Sequence, residues 1–572
     1  MIASHARVRS APAFVSQPVA EVAKTSDKSR NSELLASSAT KKRSSRSVLR
    51  PSLVVLLTII SLTACRPAAN NPPRSSNLPG ASATAGDAAT TPQTSDKAEI
   101  PAPESPAPES VFAEEKLFDG WGKPDVVLCI TGQQMGYIEP CGCTGLANQK
   151  GGLARRHTLV KTLKAKGWPV VSIDAGNQVR RAGRQAEIKF QIVAGALKKI
   201  GYAAVGLGVD DLRLSATEIV SITMEDNTPF HSANAALIDR SLTPRFRIAE
   251  AGGKRIGVTT VLGSDLLKSA TSGDVKLQAP DEALAEVVPQ LKEAKCDLLV
   301  LFVHDSVEGT KELAQQFPDF DIYVSADGHG DPTYLPESIE GTKGILIRAG
   351  KKAMFAGVVG LFEGDEKRLR YQRVPLDAQF ADSPEMLETL AAYQDQLKEL
   401  GLDKLGLSPI PHPSGHKFVG SRACADCHSK AFEIWKETPH ARATDALVHP
   451  NERSQIPRHF DPECLSCHVT GWNPQKFFPY ASGYKGLEPT PELVAVGCEN
   501  CHGPGADHAA AESGDADVTE ETIKTLREEL RLPLAKAADH CRRCHDLDND
   551  PNFQKEGAFE KYWPKIEHKG LD

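Results

Sequence analysis

One pentapeptide recurs four times near the end of this chain: Cys424-Ala-Asp-Cys427-His428, Cys464-Leu-Ser-Cys467-His468, Cys498-Glu-Asn-Cys501-His502 and Cys541-Arg-Arg-Cys544-His545. Cys-x-x-Cys-His is the attachment pattern for c-type haem. Two thiols one helical turn apart can each form a thioether with a haem vinyl group, and the adjacent imidazole then reaches the iron as proximal ligand. Four copies within 122 residues, in a chain of 572 residues with only 13 cysteines, are too many for chance. The spacing predicts four covalently bound haem c groups and hence redox chemistry.

The elements that must position these groups differ along the chain. From about residue 411 onward, strand-like alternation vanishes and loops with short helices dominate, as expected where cofactors replace a side-chain core. Upstream, from about 120 to 380, buried strands alternate with amphipathic helices, which argues for an α/β domain. Its strands include Asp125–Thr131, Pro169–Asp174, Ala203–Leu207, Arg255–Val261 and Cys296–His304. Its helices include Gly152–Lys164, Phe190–Ile200 and Pro280–Ala294. A helix and linker over 383–410 lead from the α/β domain to the haem domain at 411–572.

The N-terminus reads as an export signal. The first 50 residues carry ten Lys or Arg against three acids, followed by the apolar run Leu53–Leu62 and then Leu-Thr-Ala-Cys65. A basic segment, a short apolar stretch and small residues describe a secretory signal over 1–64 rather than a spanning helix, which would need about 20 apolar residues. The ending resembles the lipobox of bacterial lipoproteins, which implies lipidation at Cys65 and a membrane partner through that anchor. Residues 66–110 hold nine prolines and predict, within a linker over 65–115, an extended tether. Cleavage would take the net charge from −7 to −14, fitting a periplasmic or cell-surface protein, and nothing in the charge points to a nucleic-acid partner.

Residues 124–362 resemble the metallophosphoesterase domain of the 5′-nucleotidase family. The carriers are Gly151-Gly-Leu-Ala-Arg-Arg-His-Thr-Leu-Val, Ser172-Ile-Asp-Ala-Gly-Asn177, Phe230-His-Ser-Ala-Asn234, Val303-His304, the segment Asp319–His329 and Ile347-Arg-Ala-Gly350. The resemblance implies two divalent metals held by carboxylates and histidines, activating water against a phosphate ester. This chain departs at most of those places. The first strand ends Thr131-Gly-Gln133, Asn177 stands for the Asp of Gly-Asp, and Gly208-Val-Asp210-Asp211 replaces Gly-Asn-His-Glu. Only His304 and His329 match, with Asp327 where a histidine is expected. The resemblance therefore implies the fold without the hydrolysis. In the lost loop stands Cys141-Gly-Cys143, a candidate soft-metal site with His304 and His329. A structural disulfide, with Cys129 or Cys296 as partner, a strained adjacent pair and plain reduced thiols are the alternatives.

Residues 417–572 resemble the cytochrome c-554 family of tetrahaem proteins, from Phe418-Val-Gly-Ser-Arg through Trp435-Lys-Glu-Thr-Pro-His440 and Gly497-Cys-Glu-Asn-Cys-His-Gly-Pro-Gly-Ala-Asp-His508 to Tyr562-Trp-Pro-Lys-Ile-Glu-His568. The resemblance implies His428, His468, His502 and His545 as proximal ligands and His440, His508 and His568 as distal ones. Three distal histidines for four irons leave one iron open to a small molecule, and the sequence does not fix which. The expected fold is an α/β metallophosphoesterase-like sandwich followed by a mainly α, loop-rich multihaem cytochrome c domain. The expected function is electron transfer between redox partner proteins. The alternatives are oxidoreduction of a small nitrogen or sulfur compound at an open haem or Cys–metal site, and residual phosphoesterase or nucleotidase activity.

Overall fold

The computed structural model describes residues 116–140, 149–224, 228–267, 273–450 and 453–568. Cys65, Cys141 and Cys143 lie outside them, as do the signal and the whole of the tether. Residues 106–572 belong to one compact unit that holds both the α/β and the haem-motif segments.

Strand Val126–Thr131 shows how the α/β part is built. Successive side chains point to opposite faces of a strand. Val127 and Cys129 enter a core with the helices Leu153–Ala165 and Arg184–Ile200, whereas Val126, Leu128 and Ile130 enter a second core against another sheet. Both faces are buried, so the strand reads as continuous apolar sequence rather than alternation.

Two six-stranded mixed sheets result. The first runs Leu369–Pro375, Phe355–Leu361, Val126–Thr131, Val170–Asp174, Tyr202–Gly206, Phe230–His231. The second runs Glu337–Ser338, Ile345–Arg348, Ile322–Ser325, Leu298–His304, Lys254–Leu262, Phe246–Ala251. The sheets share an apolar layer that includes Ile173, Val258, Val300 and Phe302. Helices cover both outer faces, with Pro280–Glu293 and Val307–Gln316 on the second. The order is helix, sheet, sheet, helix.

Helix Pro384–Lys404 is more than a connector. Met386, Leu390, Tyr393 and Leu397 are buried in the outer core of the first sheet, so the helix completes that layer before Gly401 (φ 65°) breaks it. Beyond it the described residues form short helices and loops, with Trp472–Asn473 paired against Phe478–Pro479 and isolated bridges joining Ile410 to Tyr480 and Val469 to Val494. The side-chain core there is small, six buried residues around Trp472 and Tyr484.

Candidate functional site

Each of the four pentapeptides sits at a helix end. Helix Ser421–Ala425 carries Cys424, helix Pro462–His468 contains all of the second motif, helix Cys498–His502 all of the third, and helix Leu534–Cys541 ends on the fourth. Three motif imidazoles are oriented by their Nδ1 atoms. His468 meets the Ala443 carbonyl at 2.7 Å, His502 the Leu530 carbonyl at 2.8 Å and His545 the Asp550 carboxylate at 2.8 Å. A hydrogen bond at Nδ1 fixes the tautomer and leaves Nε2 as the ligating atom, the usual arrangement behind a metal-bound histidine.

Three pairs of histidines face each other across a gap. His428 and His508 have ring centroids 6.4 Å apart, His440 and His545 6.0 Å, and His502 and His568 5.8 Å. Metal–imidazole bonds of about 2 Å on each side of one ion put ring centres roughly 6 Å apart. The donor set fits bis-imidazole haem iron in all three places. His440 is held down to about 4 by burial and by the neighbouring His545 and His468 rings, so it is neutral at ordinary pH and its lone pair is free to bind metal. Among the described residues no imidazole faces His468 in this manner. Of the remaining histidines in this segment, His412 meets Ser414, His416 meets Asp507 and Glu529, His449 meets Asp445 and His540 meets the Asn500 carbonyl, while His459 packs on Phe460 with its Nδ1 buried and unpartnered.

The sulfurs reveal which motifs are neighbours. Cys424 interacts with Cys498, Cys544 with Cys467, and Cys501 with Cys541. The spatial order of the motifs is therefore first, third, fourth, second.

The two residues between the cysteines of the third motif are cross-braces, a role the pattern alone does not reveal. Glu499 is buried and accepts from the backbone N–H groups of Val419, Gly420 and Gly505 at 2.7–3.2 Å, tying the third motif to the entry of the first. Burial raises its carboxyl above the usual range while those three donors oppose the shift. Asn500 accepts from Gly497 N–H and Thr470 Oγ1 and donates to the Val469 carbonyl at 3.0 Å, tying the third motif to the end of the second.

The α/β part grips the other half of the array. Arg181 and Lys189 pair with Glu463 at 2.8 and 2.6 Å, Gln185 donates to Asp461 at 2.8 Å, and Arg180 and Lys352 pair with Asp548. Arg458 forms a two-point pair with Glu139, and Arg453 a second with Asp382. A cavity of about 1130 Å³ runs through this contact, lined by Met135, Tyr137, Ile138 and Lys189 on one side and His440, His468 and His545 on the other.

The phosphoesterase-like pocket has closed on itself. Asn177 Nδ2 donates to Gln133 Oε1 at 3.0 Å, Gln133 Nε2 donates to the Ala326 carbonyl at 2.5 Å, and Asn177 Oδ1 accepts from Asp210 N–H at 3.0 Å. Two neutral amides thus satisfy each other where the family would place charged ligands. Asp211 is fully buried and spends its carboxylate on the amides of Asn177, Gln178, Val179 and Gly208. A side chain on Gly208 would collide with the Asn177 amide, so glycine is required there. His304 is buried with Nε2 on the Ala175 carbonyl at 2.7 Å, while His329 is exposed. Hard divalent ions need several carboxylate or imidazole donors, and this set does not fit a metal pair. Among the described residues no group of three or more His, Cys, Asp or Glu is placed to hold a metal ion. His304 and His329 thus share no metal-binding cluster, and Cys129 lies in the apolar core, where burial pushes its thiol up to about 12.

Comparison with known proteins divides along the same line. Residues 423–503, which hold the first three motifs, match the family described as Cytochrome c554 and c-prime. Cytochrome c-554 of Nitrosomonas europaea is 28% identical over 169 residues, covering 27% of this chain and 68% of that protein. An apyrase of Aedes albopictus is 23% identical over 301 residues, 47% of this chain, and the chain spans only 53% of that protein's length. Among solved structures, a 5′-nucleotidase precursor from Thermus thermophilus aligns with a TM-score of 0.42 and 17% identity, over 56% of this chain and 66% of that one. The C-terminal part is cytochrome c554-like and the α/β part has nucleotidase-type relatives, as the sequence motifs imply.

Proposed function

We propose that this chain is an exported tetrahaem c-type cytochrome that passes electrons between periplasmic or membrane redox proteins. The observation that carries the reading is the set of three facing histidine pairs, each joining a motif imidazole to a histidine from a distant segment at 5.8–6.4 Å. Haem bound at these motifs supplies a reversible one-electron couple. The chain's own residues hold it. Eight thiols would attach it, the four motif imidazoles would ligate its irons, and His508, His440 and His568 would add ligands at the first, fourth and third motifs. The carbonyls of Ala443 and Leu530 and the Asp550 carboxylate keep three proximal rings in one tautomer. Adjacent sulfurs support a relay ordered first, third, fourth, second. No helix among the described residues is long and apolar enough to cross a membrane. Membrane attachment at Cys65 belongs to this proposal on the strength of the lipobox-like Leu-Thr-Ala-Cys65 in the sequence.

A second reading starts from His468, which no imidazole among the described residues faces. An iron open on one side there would let the chain oxidise or reduce a small nitrogen or sulfur compound. Phosphate-ester hydrolysis is the least supported, because Gln133 and Asn177 satisfy each other rather than a metal.

Haem stoichiometry with spectroscopy on the purified chain tests these readings together. The expected result is four haems per chain, three low-spin and one high-spin, the last binding carbon monoxide on reduction. Fewer than four attached haems overturns the tetrahaem assignment. Four purely low-spin haems leave electron relay and remove the open-iron reading.

A further inference from the structure

Helix Pro462–His468 begins with two carboxylates on either side of Pro462, and the second of them directly precedes Cys464. Asp461 caps the helix, accepting from Glu463 N–H at 2.9 Å, and also takes Gln185 Nε2 at 2.8 Å and the Tyr393 hydroxyl at 3.2 Å. Glu463 takes Lys189 on one oxygen at 2.6 Å and Arg181 on the other at 2.8 Å. The four side-chain donors come from the α/β part and the helix Pro384–Lys404 packed on it. Gln185 and Lys189 stand one turn apart on helix Arg184–Ile200, the spacing that brings side chains to one face.

Lys189 is the informative member. It is 6% exposed, and a buried ammonium is costly unless a counter-charge meets it. The cation is spent on the residue beside a haem-attachment cysteine, not on the closed phosphoesterase-like pocket.

We propose that Lys189 is a positioning residue for the haem site of the second motif. Through Glu463 it fixes helix Pro462–His468 against the α/β part and cancels a carboxylate charge next to the attached haem. The inference rests on reading Cys464, Cys467 and His468 as haem-binding. Two cations facing two carboxylates leave the cluster neutral. Removing one cation leaves net negative charge, which stabilises ferric over ferrous iron through space.

The test uses the full haem-loaded chain, with spectroelectrochemical midpoint potentials and spin state as readouts. Lys189→Met lowers the potential of the haem that lacks a facing imidazole, and Lys189→Arg restores it. Glu463→Gln shifts the same potential upward, and the Lys189→Met/Glu463→Gln double variant returns toward the parent. The haem at His428, on the far side of the array order, stays unchanged. Potentials that do not move in either single variant overturn the inference, as does an equal shift at all haems. Should Lys189→Met fail to accumulate, the sign of the Glu463→Gln shift alone decides: upward supports the charge cancellation, and no shift or a downward one overturns it. Failure of the underlying haem reading is distinguishable, because it shows in the parent chain as missing haem.

Discussion

His231 and His304 are buried without an ion pair, and burial outweighs the one nearby carboxylate, Asp174 beside His304. Burial lowers His231 to about 3 and His304 to about 4. Thr260 Oγ1 meets His231 Nε2 at 3.0 Å, a neutral contact that does not repay a charge. An unfolded histidine protonates near 6.5, so the unfolded chain takes up the proton first. This contribution to stability is therefore present above about pH 6.5 and lost as pH falls toward 3. At about 1.4 kcal/mol per unit, His231 alone accounts for a few kcal/mol. Denaturant titrations between pH 7 and 4 should show the α/β part weakening, with a shallower slope in His231→Gln. An unchanged slope would place the acid sensitivity elsewhere. The haem-site residues show which facts a sequence holds at this scale. Supply was legible, since His440, His508 and His568 stood out beside the motifs. Pairing was not. His440 follows the first motif in the chain yet faces the fourth motif's His545, and His508 follows the third yet faces the first's His428. Neighbourhood in sequence says little about what lies across a cofactor.

At the scale of elements, the alternation of buried strands and helices was readable because each carries its own apolar period. The boundaries that moved had a physical cause. Helix Arg184–Ile200 starts six residues before the apolar stretch that predicts it, because its first turn, Arg-Gln-Ala-Glu, is mostly polar, with Gln185 reaching across to Asp461. Tyr393, on a helix that reads as a linker, points the same way to Asp461. Contacts between distant elements leave no periodic trace, and Glu499 is the clearest case. Its three backbone partners sit 80, 79 and 6 residues away, and nothing in the pentapeptide marks it as a brace. Each buried N–H left without an acceptor costs about 1–3 kcal/mol. Glu499→Ala is expected to destabilise the haem-motif segment by on the order of 3 kcal/mol or more and to lower haem occupancy at the first motif ahead of the others. Thermal unfolding and haem content per chain measure this, and a variant with parental midpoint and full loading would refute the brace.

At the scale of the whole molecule, the α/β part has no metal-binding cluster among its described residues and meets the haem-motif segment through ion pairs. Its closed amide pair faces inward, while its cations reach the second and fourth motifs. The neighbour order of those motifs has a bearing on assembly. A chain that leaves the cytoplasm from its N-terminus presents the first motif first and the fourth last. Yet the fourth stands in the interior of the proposed relay, between the third and the second. A partly matured molecule carrying three haems would hold a connected pair and one isolated centre. Cys541→Ser/Cys544→Ser should reproduce that intermediate: stopped-flow reduction would fill the first and third centres at the parental rate and reach the second only slowly. Parental rates at the second centre would show a shorter path. On the proposed order, the last haem to be attached would be the one that links the second centre to the other two.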